Sequence, residues 1–370
     1  MNGPSAANPP APRRAYLDNL KTFLVAGVIT GHVLITYADI GSWAYREPST
    51  NKAFIIPAAF YVAVGSMFAM GLFFLIAGLL VPRALARKGP AGFLRDRLVR
   101  LGPPFLAFLL VVFPVVRWMG DGRGRSLAWF FRDQLKELDP GPLWFVLALL
   151  IFSAGYAACR VVRPARTSPR PWRASLLFGL AAGIAAATFA VRLRFPIDSH
   201  QIFVLHVWQW PQCVGLFALG IACAENGWLD PVPDRLRRWA GGTALSGAGM
   251  IVAAILLNMK NTDPLGGGMN WPAAVIAAGE GITATGSSVW LLGLFQRRFD
   301  GAGPLARALG RAAFGAYVVQ APVAVAIARL AQPLPVAPEL KFLFVAPAAV
   351  AGSFGLAWLL TKVPGVKKFI

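Results

Sequence analysis

The sequence predicts an all-α, polytopic integral membrane bundle of about ten transmembrane helices, and three observations carry that prediction. Hydrophobic residues make up 56% of the 370 and charged residues only 14%, against about 25% charged in soluble domains. The mean hydropathy is +0.58. Apolar runs of helical length recur along the whole chain, and ten spans of roughly 20 residues use up nearly all the apolar residues present. The same arithmetic excludes a soluble enzyme, a disordered chain and an outer-membrane barrel. A net charge of +20 does not point to nucleic acid. The Lys and Arg residues sit in short clusters between apolar blocks rather than along one polar face.

Residues 1–12, rich in Pro, Ala and Asn, read as a disordered tail ahead of a single membrane domain over 13–370. Arg13-Arg14 before an apolar run imitates a secretory signal. However, the run from Thr22 to Tyr37 lacks an A-x-A-like end and many spans follow, so an uncleaved first helix is expected. The ten apolar windows are 20–38, 54–81, 102–118, 143–160, 174–191, 202–224, 243–258, 272–294, 312–329 and 341–361. Window 54–81 is long enough to tilt or kink, and Gly65, Gly71 and Gly78 give it close-packing faces. Windows 174–191 and 243–258 are short and rich in Gly and Ala. No internal repeat of fixed period is present.

Sidedness follows from the basic residues. With the N-terminus in the cytoplasm, 24 of the 36 Lys and Arg fall on the cytoplasmic side and 12 on the other. That two-to-one bias, with an even number of spans, predicts a multi-pass protein of the plasma (inner) membrane with both termini cytoplasmic. Cys159, Cys213 and Cys223 have no metal-ligand spacing, and none falls in an outer loop. Neither a disulfide nor a metal site is expected.

Few residues remain that could carry chemistry. His32, in G-H-V-L-I-T-Y, lies twelve residues into the first window, roughly 18 Å from its inner end at 1.5 Å per residue. It is either a polar group satisfied by a neighbouring helix or a functional one, which is the default for an ionisable residue inside a span. The stretch from Phe93 to Phe105 contains Arg97 and Arg100 at i, i+3, just before a Pro-Pro start of the third span. Basic inner loops serve topology alone, yet two guanidiniums on one helix face also suit the phosphates of an anionic cofactor.

Arg14 and Asp18 are spaced to form a local i, i+4 ion pair. Glu280, inside window 272–294, should face the bundle interior, where it could orient a histidine, bind a hydroxylated substrate or make a structural hydrogen bond. His200 and His206 are candidates to line an outer mouth, and Trp144 is either part of the site or an aromatic-belt residue. No phosphate loop, G-x-S-x-G elbow, H-E-x-x-H or Asp-rich metal motif occurs.

Five stretches, in order, resemble the acyltransferase 3 family of integral membrane acyltransferases. They are Arg14 to Lys21 (R-x-x-L-D-x-L-K), Gly31-His32, F-F-L-I-x-G at 73–78, F-L-R-x-R-L-x-R-L-x-P-P-F at 93–105 and L-W-F at 143–145. V-P-G at 363–365, followed by basic residues, also fits, and the opening through G-S-W-x-Y is similar to the glucan-modifying succinyl- and acetyltransferase branch. The resemblance implies a ten-helix bundle that moves an acyl group from cytoplasmic acyl-CoA to a hydroxyl of an extracytoplasmic glycan or similar acceptor. It puts the essential histidine at His32, the R-x-x-R pair at Arg97 and Arg100, and the N-terminal arginine at Arg14. Lys21, Ala77, Pro142 and Gln320 depart from the commoner arginine, serine, histidine and histidine. His32 would act as the base, with Glu280 orienting its ring; direct transfer and an acyl-histidine relay both fit. The partners implied are acyl-CoA, the glycan acceptor and the lipid bilayer, with no nucleic acid. The alternative reading is a transporter or flippase using the same polar residues as a path. Against it stand the absence of repeat symmetry and the concentration of basic residues in one segment.

Overall fold

The structure is a computed structural model that describes residues 14–163, 169–197, 199, 204–366 and 369. The tail 1–12 and His200 lie outside the described residues. Helix α1 (Ala15–Ala38) is followed by α2 (Lys52–Ser66) and the long α3 (Ala69–Ala107). A π-helical turn, Phe108–Val112, leads into α4 (Phe113–Gly120), and α5 (Leu127–Glu137) is a short amphipathic helix. Then come α6 (Trp144–Val162), α7 (Ser175–Arg194), α8 (Trp210–Asn226) and α9 (Asp234–Leu257). The one-turn α10 (Asp263–Gly266) precedes α11 (Trp271–Arg298), α12 (Pro304–Ala331) and α13 (Pro338–Leu360). No strand occurs among the described residues.

Nine helical segments among the described residues are long and apolar enough to cross a membrane. The second of them runs from Lys52 to Gly120, 69 residues, which at 1.5 Å per residue is far longer than one bilayer. It reverses at Gly89, whose φ of 69° and ψ of 168° break the helix, and Pro90 opens the returning arm. Counting two crossings there agrees with the ten expected from the sequence. The kink expected in window 54–81 is present where α2 ends at Ser66 and α3 begins at Ala69.

Several boundaries differ from the apolar windows. The third span does not begin at Pro103-Pro104; the helix runs through both prolines. Each proline strands the carbonyl four residues earlier, here those of Val99 and Arg100. Both residues are exposed, so those carbonyls need no partner within the protein. Helix α9 starts at Asp234, well before window 243–258, because its first turns are polar. Within window 202–224, Val207–Gln209 form a 3-10 turn and α8 proper starts at Trp210.

Polar caps start the helices where the chain leaves its loops. The Asn51 side chain accepts from Ala53 N (3.0 Å) at α2, and Asn270 accepts from Ala273 N (2.9 Å) at α11. Within the bundle α11 packs between α7 and α9, α3 against α8, and α12 between α1 and α13. Small residues permit these approaches, as expected where lipid gives helices no hydrophobic reason to associate. A Cβ on Gly78 would run into the Phe217 carbonyl and lie 3.0 Å from Ile221 N, and one on Gly220 would run into the Leu75 carbonyl. One large apolar cluster joins α1, α3, α6, α12 and α13, and a second joins α1 and α3 to α7, α8, α9 and α11.

Contacts between loops sort them onto two ends. At the near end Arg14 pairs with Asp230 (2.5 Å), Tyr16 N donates to Asp300 (3.1 Å) and Asn19 donates to the Phe299 carbonyl (2.7 Å). At the far end Ser49 donates to Glu339 (2.6 Å) and Ile197 N to the Gly266 carbonyl (2.9 Å).

Two measurements check this arrangement. Gly78→Leu and Gly220→Leu should each destabilise the bundle by about 1–3 kcal/mol or more through overpacking, read as a lower midpoint of thermal unfolding in detergent. In a Cys159→Ala background, single cysteines at Ala91 and Met269 should label from opposite sides of intact membranes, with Ala91 protected from outside. Labelling of both from one side would reject the ten-crossing arrangement.

Candidate functional site

His32 sits on α1 six residues before its end at Ala38, about 9 Å from the far end of that helix. On the same helix Ile29 and Val33 are fully enclosed in the larger apolar cluster, which fixes the rotation of α1 and turns His32 toward α12. There Nδ1 lies 3.0 Å from Gln320 Oε1. An amide oxygen only accepts, so Nδ1 carries the proton and donates, which leaves Nε2 with a lone pair. The Trp43 ring covers one face of the imidazole, stacked at 4.2 Å between centroids and 9° from parallel.

Trp43 comes from the loop that follows α1. The left-handed residues Asp39 (φ 53°) and Gly41 (φ 69°) turn the chain back over the helix end. Backbone bonds from Glu47 N to the Thr36 carbonyl (2.9 Å) and from Ser49 N to the Tyr37 carbonyl (2.8 Å) hold it there. Lys341, nearly fully enclosed, donates to Glu47 (2.6 Å) and to the Gln332 carbonyl (2.8 Å). Burial and the neighbouring Glu47 carboxylate push the Tyr45 hydroxyl up to about 12. Tyr45 therefore stays protonated and donates to Glu47 (3.0 Å). The loop is a fixed cap, anchored to α13.

Beneath it the aromatic motifs converge. Phe73 and Phe74 of F-F-L-I-x-G pack on Phe145 of L-W-F at 5.7 and 5.2 Å, and Phe145 meets Tyr317 at 5.6 Å. Tyr317 lies one turn before Gln320 and donates to the Pro142 carbonyl, so L-W-F and the partner of His32 share one helix as support. Trp144 packs beside His206 at 5.3 Å, and His206 beside Trp208 at 6.0 Å. Two residues that the sequence marked separately are thus neighbours.

Glu280 is fully enclosed, as expected, but the structure does not bring it to His32. Its partner is Arg192 of α7, also enclosed, whose guanidinium lies 5.2 Å from the Trp208 ring and 3.9 Å from Met67 Sδ. The reason is helical placement: Glu280 sits on α11, which packs on α7 and α9, whereas His32 looks at α12. Orientation of the imidazole falls to Gln320 instead. Arg192 escaped notice because window 174–191 stopped one residue short of it. Gln320 was visible only as a departure from the family's commoner histidine, and Trp43 only as part of G-S-W-x-Y.

Arg97 and Arg100 lie at the opposite end of the bundle, on the returning arm of α3 rather than in a loop. Arg100 is exposed, and the Arg97 guanidinium sits 5.3 Å from the Phe93 ring. Neither makes an ion pair among the described residues, and the nearby Asp96 is taken by Lys88 (2.6 Å). Two guanidiniums with no carboxylate partner can receive an anion. The local Arg14–Asp18 pair is not formed: Asp18 pairs with Lys21 (2.7 Å), and Arg14 reaches Asp230 across the near end.

Fold and site together define a multi-pass membrane protein with a histidine held between spans near one end and, at the other, arginines without an ion pair among the described residues. A family model described as an acyltransferase domain, that of acyltransferase 3, matches residues 14–362, nearly the whole chain. The chain belongs to this family of membrane acyltransferases. Comparison with curated proteins found no match, and comparison with solved structures found none.

The Arg192–Glu280 pair predicts a stability signature. Arg192→Leu or Glu280→Leu alone strands a buried charge and should cost about 3–5 kcal/mol, whereas the double replacement should recover most of it. Thermal unfolding of the three variants measures this. Equal losses in the single and double variants would show that the pair is not a coupled unit.

Proposed function

We propose that the protein transfers an acyl group, of acetyl or succinyl type, from a cytoplasmic acyl-CoA to a hydroxyl of an extracytoplasmic glycan or similar acceptor. The observation that carries this reading is the hydrogen bond from His32 Nδ1 to Gln320, which points a basic Nε2 into the far half of the bundle. The excess of Lys and Arg at the near end supports assigning that end to the cytoplasm. Arg97 and Arg100 then meet the donor's phosphates, where planar guanidiniums bind bidentately. Arg14 takes part in donor binding by exchanging Asp230 for a phosphate.

The chemistry needs few parts. An alcohol is a weak nucleophile until its proton is taken, and a neutral imidazole is suited to take it near pH 7. His32 Nε2 accepts the hydroxyl proton as the oxygen bonds to the thioester carbon. When the tetrahedral adduct collapses, the carbon–sulfur bond breaks and the proton passes from Nε2 to the leaving thiolate. Gln320 holds one tautomer throughout without placing a charge in the membrane interior.

Purified protein in lipid nanodiscs, given acyl-CoA and a glycan acceptor, should release free CoA and yield an acylated acceptor detectable by mass spectrometry. His32→Ala and His32→Gln should both lower turnover per folded molecule by about 10²–10⁴-fold. Near-wild-type turnover in His32→Gln would remove the base assignment. Arg97→Ala and Arg100→Ala should chiefly raise the KM for acyl-CoA, with Lys restoring only part because it lacks the planar fork. An unchanged KM in both would return these arginines to a purely topological role.

A further inference from the structure

Two N–H donors beside His32 have no acceptor among the described residues. Trp43 Nε1 and Gln320 Nε2 are both enclosed and unpartnered. Each belongs to a side chain that already touches the imidazole: Trp43 through the stacked ring, Gln320 through Oε1. An enclosed N–H group normally finds a partner, and one left without it usually marks a ligand, a water or a functional role. Here two such groups flank the one residue read as a base.

Their supports are rigid. Gln320 is 1% exposed and lies one turn after Tyr317, whose hydroxyl donates to the Pro142 carbonyl and ties this part of α12 to the chain just before α6. Trp43 rides on the loop 39–51, which is tied to the end of α1 by backbone bonds and to α13 through Lys341 and Glu339. Donors held in this way need no reorganisation during a reaction.

Acyl transfer requires such donors. As an alkoxide forms its bond to a thioester carbon, the carbonyl π electrons move onto oxygen, and fixed hydrogen bonds to that oxygen are usually the largest single contribution to catalysis. A general base does not supply them. Arg97 and Arg100 stand at the other end of the bundle and cannot reach the reacting carbon beside His32.

We infer that Trp43 and Gln320 form the oxyanion site for the thioester, the indole N–H and the amide N–H receiving the carbonyl oxygen while His32 Nε2 takes the acceptor's proton. This rests on the reading of His32 as the base. When the adduct collapses the electron pair returns to the carbonyl and the thiolate leaves, so both donors are released unchanged. Gln320 then has two duties from one amide: its oxygen fixes the histidine tautomer and its nitrogen binds the oxyanion.

Two substitutions separate these duties. Trp43→Phe keeps a ring to stack on His32 and removes the N–H. Gln320→Glu keeps an oxygen to accept from Nδ1 and replaces the N–H donor with a carboxylate oxygen. If Gln320 only orients the ring, Gln320→Glu should transfer at least as fast as wild type, because an anion beside an imidazole strengthens it as a base. If it binds the oxyanion, that variant loses its donor and gains repulsion. The expected result is a 10²–10³-fold fall in kcat per folded molecule for each variant, with the KM for acyl-CoA changed less than threefold. Folded protein is scored by monodisperse elution in detergent. Wild-type kcat in either variant would overturn the assignment. His32→Gln run alongside keeps the two ideas apart. An inactive His32→Gln with fully active Trp43→Phe and Gln320→Glu defeats the oxyanion site alone, whereas an active His32→Gln defeats the reading beneath it.

Discussion

Hydrocarbon offers the chain no hydrogen bonds, so every backbone polar group within the spans must find its partner inside the protein. That constraint explains why the bundle is entirely helical among its described residues, and two sets of interior polar side chains stand out within it. One is the neutral set around His32, with Gln320, Trp43 and Tyr317 on α12 and the loop after α1. The other is the charged pair Arg192–Glu280 between α7 and α11. The rest of the packing is arranged to keep both dry: small residues on α11 and at Gly78 and Gly220 bring the helices close enough to exclude lipid tails.

The two groups differ in what they can do. A buried ion pair is costly to assemble and more costly to break, which makes Arg192–Glu280 a device for fixing α7 against α11. A neutral histidine–amide pair carries no such penalty. Its proton-accepting nitrogen stays available because the amide oxygen holds the other one. An acidic partner would make the imidazole a stronger base but would also bring a charge into the membrane interior. Glutamine instead keeps the pair electrically neutral.

Position along the membrane normal is the second organising feature. His32 lies near the far end of α1, while Arg97 and Arg100 lie at the near end of the bundle on the returning arm of α3. In the proposed reaction, a donor anchored by its phosphates at one end would extend into the bundle to meet an acceptor entering from the other. The loop 39–51 closes over the histidine end and is fastened to α13, so the enclosure around the imidazole is a product of the fold rather than of a moving segment of helix.

Much of this was legible in the sequence because hydropathy acts locally. Each run of apolar residues specifies its own helix, and the bias of Lys and Arg orders the ends, so the count of spans and the placing of His32 within a span could be read one segment at a time. Breaks were less legible: Gly89 outweighs Pro103-Pro104 because a left-handed glycine reverses the chain, whereas exposed carbonyls tolerate a proline in a helix. Pairings were not legible at all. Glu280 and His32 are both interior polar residues, and only the rotation and neighbours of each helix decide that one meets Arg192 and the other Gln320. Sequence spacing says which face of a helix a residue occupies, but the partner across that face is chosen by the packing of segments 88 and 288 residues apart.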